Sequence, residues 1–209
     1  MKLILRIRDA FALNIPIFFM CLYAHAQRPE PSGPVQTGVP DSILFGLVIG
    51  DSLPEWFWNL TLNVVNHPAG RSSVRLDEFR NKKLLVLDFW ATYCSPCVRS
   101  LDKWDTLLNQ YADKVSVLAI HLFHHPHLAE PFAQKRGWSI PIATGNRQDT
   151  LLNNLFYART RFGQVWIKDG KLLAIPKNTA VTPELVKAVL AEQPVEIEME
   201  IKNTYFDTL

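Results

Sequence analysis

The hydrophobic pattern in the middle of the chain alternates between the periodicities of buried strands and amphipathic helices. Leu84 to Trp90 is a near-continuous apolar run of strand length, which predicts a central strand buried on both faces. Apolar residues then recur at three- and four-residue spacing between Leu101 and Tyr111, which predicts an amphipathic helix. Val115 to Phe123 predicts a second buried strand. Strand, helix and strand therefore follow one another in the centre of the chain.

The alternation continues toward the C-terminus. Leu128 to Arg136 predicts a short helix that Gly137 ends, and Ser139 to Ala143 predicts a short strand. Asn146 is an N-cap candidate for a helix that runs through Phe156. Such alternation predicts a mixed α/β sheet with helices on both faces.

The last predicted elements are a hairpin and a helix. Gln164 to Lys168 and Lys171 to Ile175 flank Asp169-Gly170, a hairpin turn signal. Thr182-Pro183-Glu184 supplies a cap, a first-turn proline and an acidic first turn, so it predicts a helix start. From Pro194 to Leu209 apolar and charged residues alternate, which fits either an added edge strand or a loose end.

Strand-like residues also precede the central run. Ser42 to Gly50 and Asn59 to Asn66 carry such residues, and turn signals follow each segment. We therefore predict an N-terminal hairpin or strand pair.

The first 26 residues have the layout of a secretory signal peptide. A basic start, an apolar stretch from Phe11 to Tyr23 and the small residues of Ala24-His25-Ala26 predict cleavage before Gln27. A membrane anchor is the alternative, but the run is short and contains Asn14 and Pro16. Lipidation of Cys21 is disfavoured because bulky residues precede it. The predicted organisation is a signal peptide (1–26), a flexible linker (27–40), one domain (41–193) and a C-terminal tail (194–209).

Removal of residues 1–26 changes the charge and the cysteine content. The full chain has 22 Lys and Arg against 20 Asp and Glu, and the exported chain has 19 of each. A neutral chain gives no electrostatic reason to expect binding to nucleic acid. Cys94 and Cys97 then remain as the only two thiols.

The two cysteines, three positions apart, allow three interpretations: a redox site, half of a metal site, or buried inert thiols. A structural zinc site usually needs four ligands, and the chain has no second cysteine pair. At a helix start, free backbone N–H groups and the helix dipole stabilise a thiolate. Cys94 is therefore predicted to be the nucleophile and Cys97 the resolving cysteine, with Pro96 fitting the first turn.

The segment from Asp88 to Cys97, DFWATYCSPC, closely resembles the active-site segment of thioredoxin-fold proteins. The region from about Gly50 to Ala191 resembles the exported TlpA/ResA-like thiol-disulfide oxidoreductases, because it combines an export signal, extra N-terminal strands and an inserted helix-strand unit at Leu128 to Ala143. The resemblance implies an α/β thioredoxin fold and electron exchange with protein disulfides. It implies no metal and no organic cofactor.

The resemblance also assigns site residues. Asp88 matches the buried acid beneath the cysteine pair, where desolvation raises a carboxyl pKa and suits it to accept the Cys97 proton; a solvated strand end is the alternative. Trp90 and Tyr93 match aromatic positions around the site, and we expect them, with Pro96 and Phe162, to line the substrate groove.

Two features depart from the family pattern. The segment from Tyr157 to Trp166 lacks the proline that such proteins hold in the cis form opposite the cysteines, and Phe162 falls in its place. Because a cis bond before a residue other than proline is costly, we expect a trans bond and a reshaped loop. The second departure is a histidine tract, His121, His124, His125 and His127, which is either an exposed loop or a copper or zinc ligand set.

These observations predict a monomeric thiol-disulfide oxidoreductase of the periplasm or cell envelope. Its expected partners are protein disulfide substrates and a membrane or envelope electron donor. The alternatives are a copper or zinc carrier that uses the cysteines and histidines, and a non-catalytic thioredoxin-fold adaptor. A peroxiredoxin is disfavoured, since the Pro and Thr residues expected before a peroxidatic cysteine are absent.

Overall fold

A computed structural model describes residues 46–123, 126–145, 148–157 and 161–200. The predicted signal peptide, Cys21, the linker and the first residues of the predicted domain lie outside these ranges, as do the last nine residues. Across the described residues, no helix combines the length and apolar character needed to cross a bilayer.

The described chain contains seven strands and five α-helices, with one 3₁₀ turn at Leu76–Phe79. In chain order they are α1 (Glu55–Trp58), β1 (Thr61–Val65), β2 (Ser73–Arg75), β3 (Leu84–Trp90), α2 (Ser95–Tyr111), β4 (Val115–His121), α3 (Pro126–Arg136), β5 (Ile142–Ala143), α4 (Gln148–Phe156), β6 (Gly163–Lys168), β7 (Lys171–Ala174) and α5 (Pro183–Leu190).

The strands form one mixed sheet in the order β2-β1-β5-β4-β3-β6-β7. β3 pairs in parallel with β4 and antiparallel with β6, so both of its edges are occupied. All seven of its residues are buried, as its continuous apolar sequence predicts. The predicted mixed sheet is confirmed.

The two faces of the sheet bury different sets of residues. On β3, Leu85, Leu87 and Phe89 pack into the core that contains α1 and α4. Leu84, Val86 and Trp90 pack into the core that contains α2, α3 and α5. Because side chains alternate along a strand, Asp88 is on the second face, beneath α2.

The N-terminal strand pair differs from the prediction. β1 pairs with β2, and residues 46–50, predicted as strand, form none. Instead Gly50 donates its N–H to the Leu172 carbonyl and Ser52 makes a single antiparallel bridge with Lys171, so the segment runs along the edge of β7. The prediction was wrong here because local strand propensity does not identify the partner strand.

The inserted helix-strand unit is present as α3 and β5. Gly137 ends α3 with a φ of 72°, a left-handed conformation that glycine adopts easily. β5 lies between β4, its parallel neighbour, and β1, its antiparallel neighbour, so the insert joins the N-terminal hairpin to the central sheet.

The hairpin and last helix agree with their predictions. Asp169 and Gly170 have φ values of 51° and 74°, which suits the tight turn between β6 and β7. The Thr182 hydroxyl accepts the Leu185 N–H at 3.2 Å and caps α5.

The described part of the tail, residues 194–200, forms no ladder and makes one bridge, between Met199 and Pro176. Around that bridge, Lys177 donates its N–H to the Glu198 carbonyl, and Glu200 donates its N–H to the Ile175 carbonyl, both at 2.9 Å. The segment after α5 therefore holds the backbone that follows β7.

Candidate functional site

Cys94 and Cys97 are at the junction of β3 and α2, and their sulfurs form a disulfide with a Cα–Cα distance of 5.3 Å. Cys94 is the N-cap of α2 and is partly exposed, whereas Cys97 is one turn further along and fully buried. Because only Cys94 reaches the surface, an external thiol or disulfide meets that sulfur first.

The start of α2 is an electropositive setting for Cys94. The first turn contains no acidic residue, and the N-cap side chain makes no capping hydrogen bond in the disulfide form. Pro96 has no N–H, and Ser95 donates its N–H to the Tyr93 carbonyl at 3.1 Å. An N-cap side chain normally accepts from the second or third helical N–H, so the Cys97 N–H is the donor for a Cys94 thiolate.

Asp88 is fully buried beneath the active-site helix. Its Oδ2 accepts a hydrogen bond from the Ser100 hydroxyl at 2.8 Å, while its Oδ1 has no hydrogen-bond partner among the described residues. Burial raises the pKa of this carboxyl to about 7, and the Ser100 hydrogen bond offsets that rise only in part.

Ser100 also locates Asp88 relative to the cysteines. Residues three apart on a helix lie on the same face, with about 5–6 Å between their Cβ atoms. Cys97 and Ser100 have this spacing on α2, so Asp88, bonded to Ser100, lies beneath the helix face that carries Cys97. The alternative prediction of a solvated strand end for Asp88 is wrong.

Two polar residues near the cysteines were not found from the sequence. Asn178, in the turn after β7, donates its side-chain N–H to Cys97 Sγ at 3.9 Å. Gln164 is fully buried on β6, directly opposite Asp88 in the antiparallel register. A glutamine at the start of an otherwise apolar strand was the available signal, but its partners are distant in sequence.

Three aromatic side chains form a cluster that includes Tyr93, the residue before Cys94. Tyr93 and Phe123 are 69% and 46% exposed, and their rings stack with centroids 6.4 Å apart. Phe162 meets both edge-on, at 5.8 Å from each. The predicted groove residues Tyr93 and Phe162 therefore lie together, Phe123 joins them, and Pro96 is exposed nearby.

Trp90 does not line this surface, and its assignment to the groove was wrong. The side chain is fully buried and packs against His121, Phe132 and Trp138 on the sheet face that carries α3. Trp90 is the last residue of β3, and its side chain is on the face of the sheet that packs against α2 and α3. It therefore belongs to the core beneath the site.

Phe162 occupies the place predicted for it, just before β6. Within the described ranges every peptide bond is trans, in agreement with the expectation for this residue. Gly163 follows with a φ of 148°, and a Cβ there would be 2.9 Å from the Tyr157 hydroxyl. Glycine therefore lets the chain enter β6 close to Tyr157.

The histidine tract is described only in part. His121 is buried against Trp90, His127 is exposed, and His124 and His125 lie outside the described residues. In the ranges that the structure covers, no cluster of three or more His, Cys, Asp or Glu side chains is arranged to hold a metal ion.

Known proteins resemble the part of the chain that holds both cysteines. Residues 73–140, which include both cysteines, match the thioredoxin family. The thiol-disulfide oxidoreductase ResA of Geobacillus thermodenitrificans is 31% identical over 108 residues, which are 51% of this chain and 56% of that protein. The chain spans about half the length of the ResA proteins it matches.

Solved structures agree on the fold. A secreted Mycobacterium tuberculosis disulfide oxidoreductase homologous to Escherichia coli DsbE is 14% identical, with a TM-score of 0.51 over 66% of this chain and 99% of that chain. A mutant of Xylella fastidiosa PrxQ is 18% identical, with a TM-score of 0.54 over 71% and 96%. At such identities the likeness concerns the fold alone.

The chain therefore has a thioredoxin-like fold, and it is similar to thioredoxins over residues 73–140 and to ResA thiol-disulfide oxidoreductases over about half of its length.

Proposed function

We propose that the protein is a thiol-disulfide oxidoreductase that reduces disulfides in partner proteins through the Cys94–Cys97 dithiol. The observation that carries the proposal is the asymmetry of the pair: Cys94 has an accessible sulfur at a helix N-cap, and Cys97 has a buried sulfur on the helix face above Asp88, a carboxyl with a pKa of about 7. Cys94 then suits the attack on the substrate disulfide, and Cys97 with Asp88 suits the release of the substrate.

In the first step the reduced Cys94 thiolate attacks one sulfur of a substrate disulfide. A mixed disulfide forms between Cys94 and the substrate, and the other substrate sulfur leaves as a thiolate. The helix start stabilises the attacking thiolate through the Cys97 N–H and the helix dipole.

In the second step Cys97 attacks Cys94 Sγ. The mixed disulfide breaks, the remaining substrate sulfur leaves as a thiolate, and the Cys94–Cys97 disulfide forms. Two electrons have then passed from the dithiol to the substrate. Asp88 Oδ1 accepts the Cys97 proton, since a carboxyl with a pKa of about 7 is partly ionised at neutral pH.

The aromatic surface of Tyr93, Phe123 and Phe162 is our proposed substrate-docking surface. It includes Tyr93, the neighbour of Cys94 in the sequence, and offers apolar area to a polypeptide that carries the target disulfide. Phe162, one of the three, stands where the family pattern has a proline.

We further propose that the protein acts as a monomer in the cell envelope, exported by a cleaved signal peptide at residues 1–26. The basic start, apolar stretch and small residues before Gln27 support export. Because each turnover leaves the Cys94–Cys97 disulfide, a membrane or envelope dithiol protein is needed to return two electrons.

Turnover of a protein disulfide tests the proposal. We expect the wild-type chain to accelerate dithiothreitol-driven reduction of insulin, and Cys94→Ser to abolish the acceleration. Equal rates for the two proteins would refute the function.

Trapping tests the order of the two steps. We expect Cys97→Ser to accumulate a mixed disulfide with the substrate at Cys94, because the resolving sulfur is missing. A mixed disulfide that maps to Cys97 in Cys94→Ser instead would contradict the assignment of the nucleophile.

A further inference from the structure

A chain of hydrogen bonds runs through the core to the buried sulfur. The indole N–H groups of Trp104 and Trp166 both donate to Gln164 Oε1, at 2.9 and 3.0 Å. Gln164 Nε2 donates to Asn178 Oδ1 at 3.4 Å, and Asn178 Nδ2 donates to Cys97 Sγ at 3.9 Å. These five residues connect α2, β6 and the turn after β7.

The two tryptophans fix the direction of this chain. An indole N–H can only donate, so the group that receives both must be the oxygen of the Gln164 amide. The Gln164 NH₂ group then faces Asn178, which must present its own oxygen. The Asn178 NH₂ group is then left facing Cys97.

The direction matters because the sulfur changes its character during the redox cycle. A disulfide sulfur is a weak acceptor, whereas a thiolate takes shorter and about twofold stronger charge-assisted hydrogen bonds. A donor fixed at Cys97 therefore favours the thiolate of that residue over its thiol and over the disulfide.

We propose that Asn178 is a further catalytic residue that stabilises the Cys97 thiolate, and that Gln164, oriented by Trp104 and Trp166, is the positioning residue that aims it. The inference rests on the proposed redox function and extends it to the half-reaction in which the Cys94–Cys97 disulfide is reduced again. There a donor thiolate attacks Cys94 Sγ, the Cys94–Cys97 bond breaks, and Cys97 leaves with the electron pair. A leaving sulfur with a lower pKa leaves faster.

The other polar groups near Cys97 act differently. Asp88, through Ser100, is the titratable group on the strand beneath, and its negative charge opposes a thiolate. Arg99 on α2 is exposed, and Lys177 next to Asn178 forms an ion pair with Glu198. Among the described residues, Asn178 is the one whose side-chain N–H donates to the Cys97 sulfur.

The first test measures the pKa of Cys97 directly. In the full chain with Cys21→Ser and Cys94→Ser, Cys97 is the single thiol, and its thiolate absorbance can be titrated. We expect Asn178→Ala to raise this pKa by about one unit, a tenfold change in the ionisation constant. Asn178→Leu, which keeps the number and branching of the side-chain heavy atoms, should raise it equally, because the effect comes from the donor.

Gln164→Leu should raise the pKa less, since Asn178 keeps its N–H but loses its orientation. If this buried substitution prevents folding, judged by circular dichroism, the Asn178 variants decide alone. Asn63→Ala, at an exposed asparagine on β1, is the matched control and should leave the pKa unchanged. A Cys97 pKa within about 0.3 unit of the parent in both Asn178 variants would overturn the proposal.

The second test follows reduction of the Cys94–Cys97 disulfide by dithiothreitol in chains with both cysteines. Asn178→Ala and Asn178→Leu should slow it about threefold, because the leaving sulfur is less stabilised. An unchanged rate would overturn the proposal. Neither test uses a protein substrate, so failure of insulin turnover in the wild type would count against the proposed function and not against the pKa result.

Discussion

Replacement of Asp88 by asparagine should stabilise the protein and slow its chemistry. The amide keeps the shape of the carboxyl, is neutral at every pH, and can keep a hydrogen bond with Ser100. Folding raises the Asp88 pKa from 3.8 to about 7, because the fully buried carboxyl loses its hydration. Between about pH 4 and pH 7, the Asp88 carboxyl of the folded protein therefore keeps a proton that the unfolded chain releases.

The size of the effect follows from that pKa difference. Below about pH 4 both states are protonated, so Asp88 imposes no penalty. Between about pH 4 and pH 7 the unfolded chain ionises while the folded chain does not, so stability falls as the pH rises. Above pH 7 the loss levels off at roughly 4 kcal/mol, since each pKa unit is worth about 1.4 kcal/mol.

Urea unfolding of the disulfide form at pH 4 and pH 8 measures this directly. The free energy of unfolding of Asp88→Asn should exceed that of the wild type by roughly 4 kcal/mol at pH 8 and by little at pH 4. Asp113→Asn makes the same chemical change at an exposed side chain and should show no such difference. An Asp88→Asn advantage that is equal at the two pH values would refute the ionisation argument.

The same variant should resolve mixed disulfides more slowly. Loss of a positioned proton acceptor typically costs about 10²-fold or more. In single-turnover release of substrate from Cys94, we expect the defect to be large at pH 7 and to shrink at pH 9, where hydroxide removes the Cys97 proton. A defect independent of pH would contradict the role of Asp88 as proton acceptor.

Three further predictions concern the surface and the backbone. Tyr93→Ala and Phe162→Ala should raise KM for insulin severalfold and leave the rate with a small-molecule disulfide unchanged; equal effects on both substrates would contradict a docking role. Gly163→Ala should lower the free energy of unfolding by about 1–3 kcal/mol in urea titrations, because the new Cβ meets the Tyr157 hydroxyl at 2.9 Å and φ is 148°; no loss would contradict that strain. Thr182→Ala should cost about 1 kcal/mol in the same assay by removing the cap of α5, and an unchanged midpoint would contradict the capping role.

Features encoded by neighbouring residues were predictable from the sequence. The apolar run of β3, the three- and four-residue spacing of α2, and the Asp169-Gly170 turn each depend on a few adjacent positions. The burial of Asp88 also followed from its apolar neighbours along the strand. These elements were predictable because the pattern that indicates each of them lies within a few adjacent positions, even where distant strands complete the packing.

Features that depend on distant partners were not predictable in this way. Residues 46–50 carry strand-like side chains but run along the edge of β7 through contacts to a segment more than 100 residues later. Trp90 and Tyr93 are both aromatic, but Trp90 ends β3 and packs against residues 31 to 48 positions later, whereas Tyr93 lies in the turn after the strand and is exposed. The bonds of Gln164 to Trp104 and of Asn178 to Cys97 span 60 and 81 residues, and no local pattern carries them.

The bridge between Met199 and Pro176 has a consequence for how this protein could diverge. The turn that carries Asn178 begins two residues after Pro176, and the polypeptide beyond α5 restrains its backbone. That segment lies outside residues 73–140, the part that matches the thioredoxin family. Through the proposed role of Asn178, substitution or proteolytic removal of residues near 199 would change the pKa of Cys97 and leave the Cys-Ser-Pro-Cys motif intact. In proteins that diverged in this way, changes in the C-terminal segment would alter the reactivity of the Cys97 sulfur.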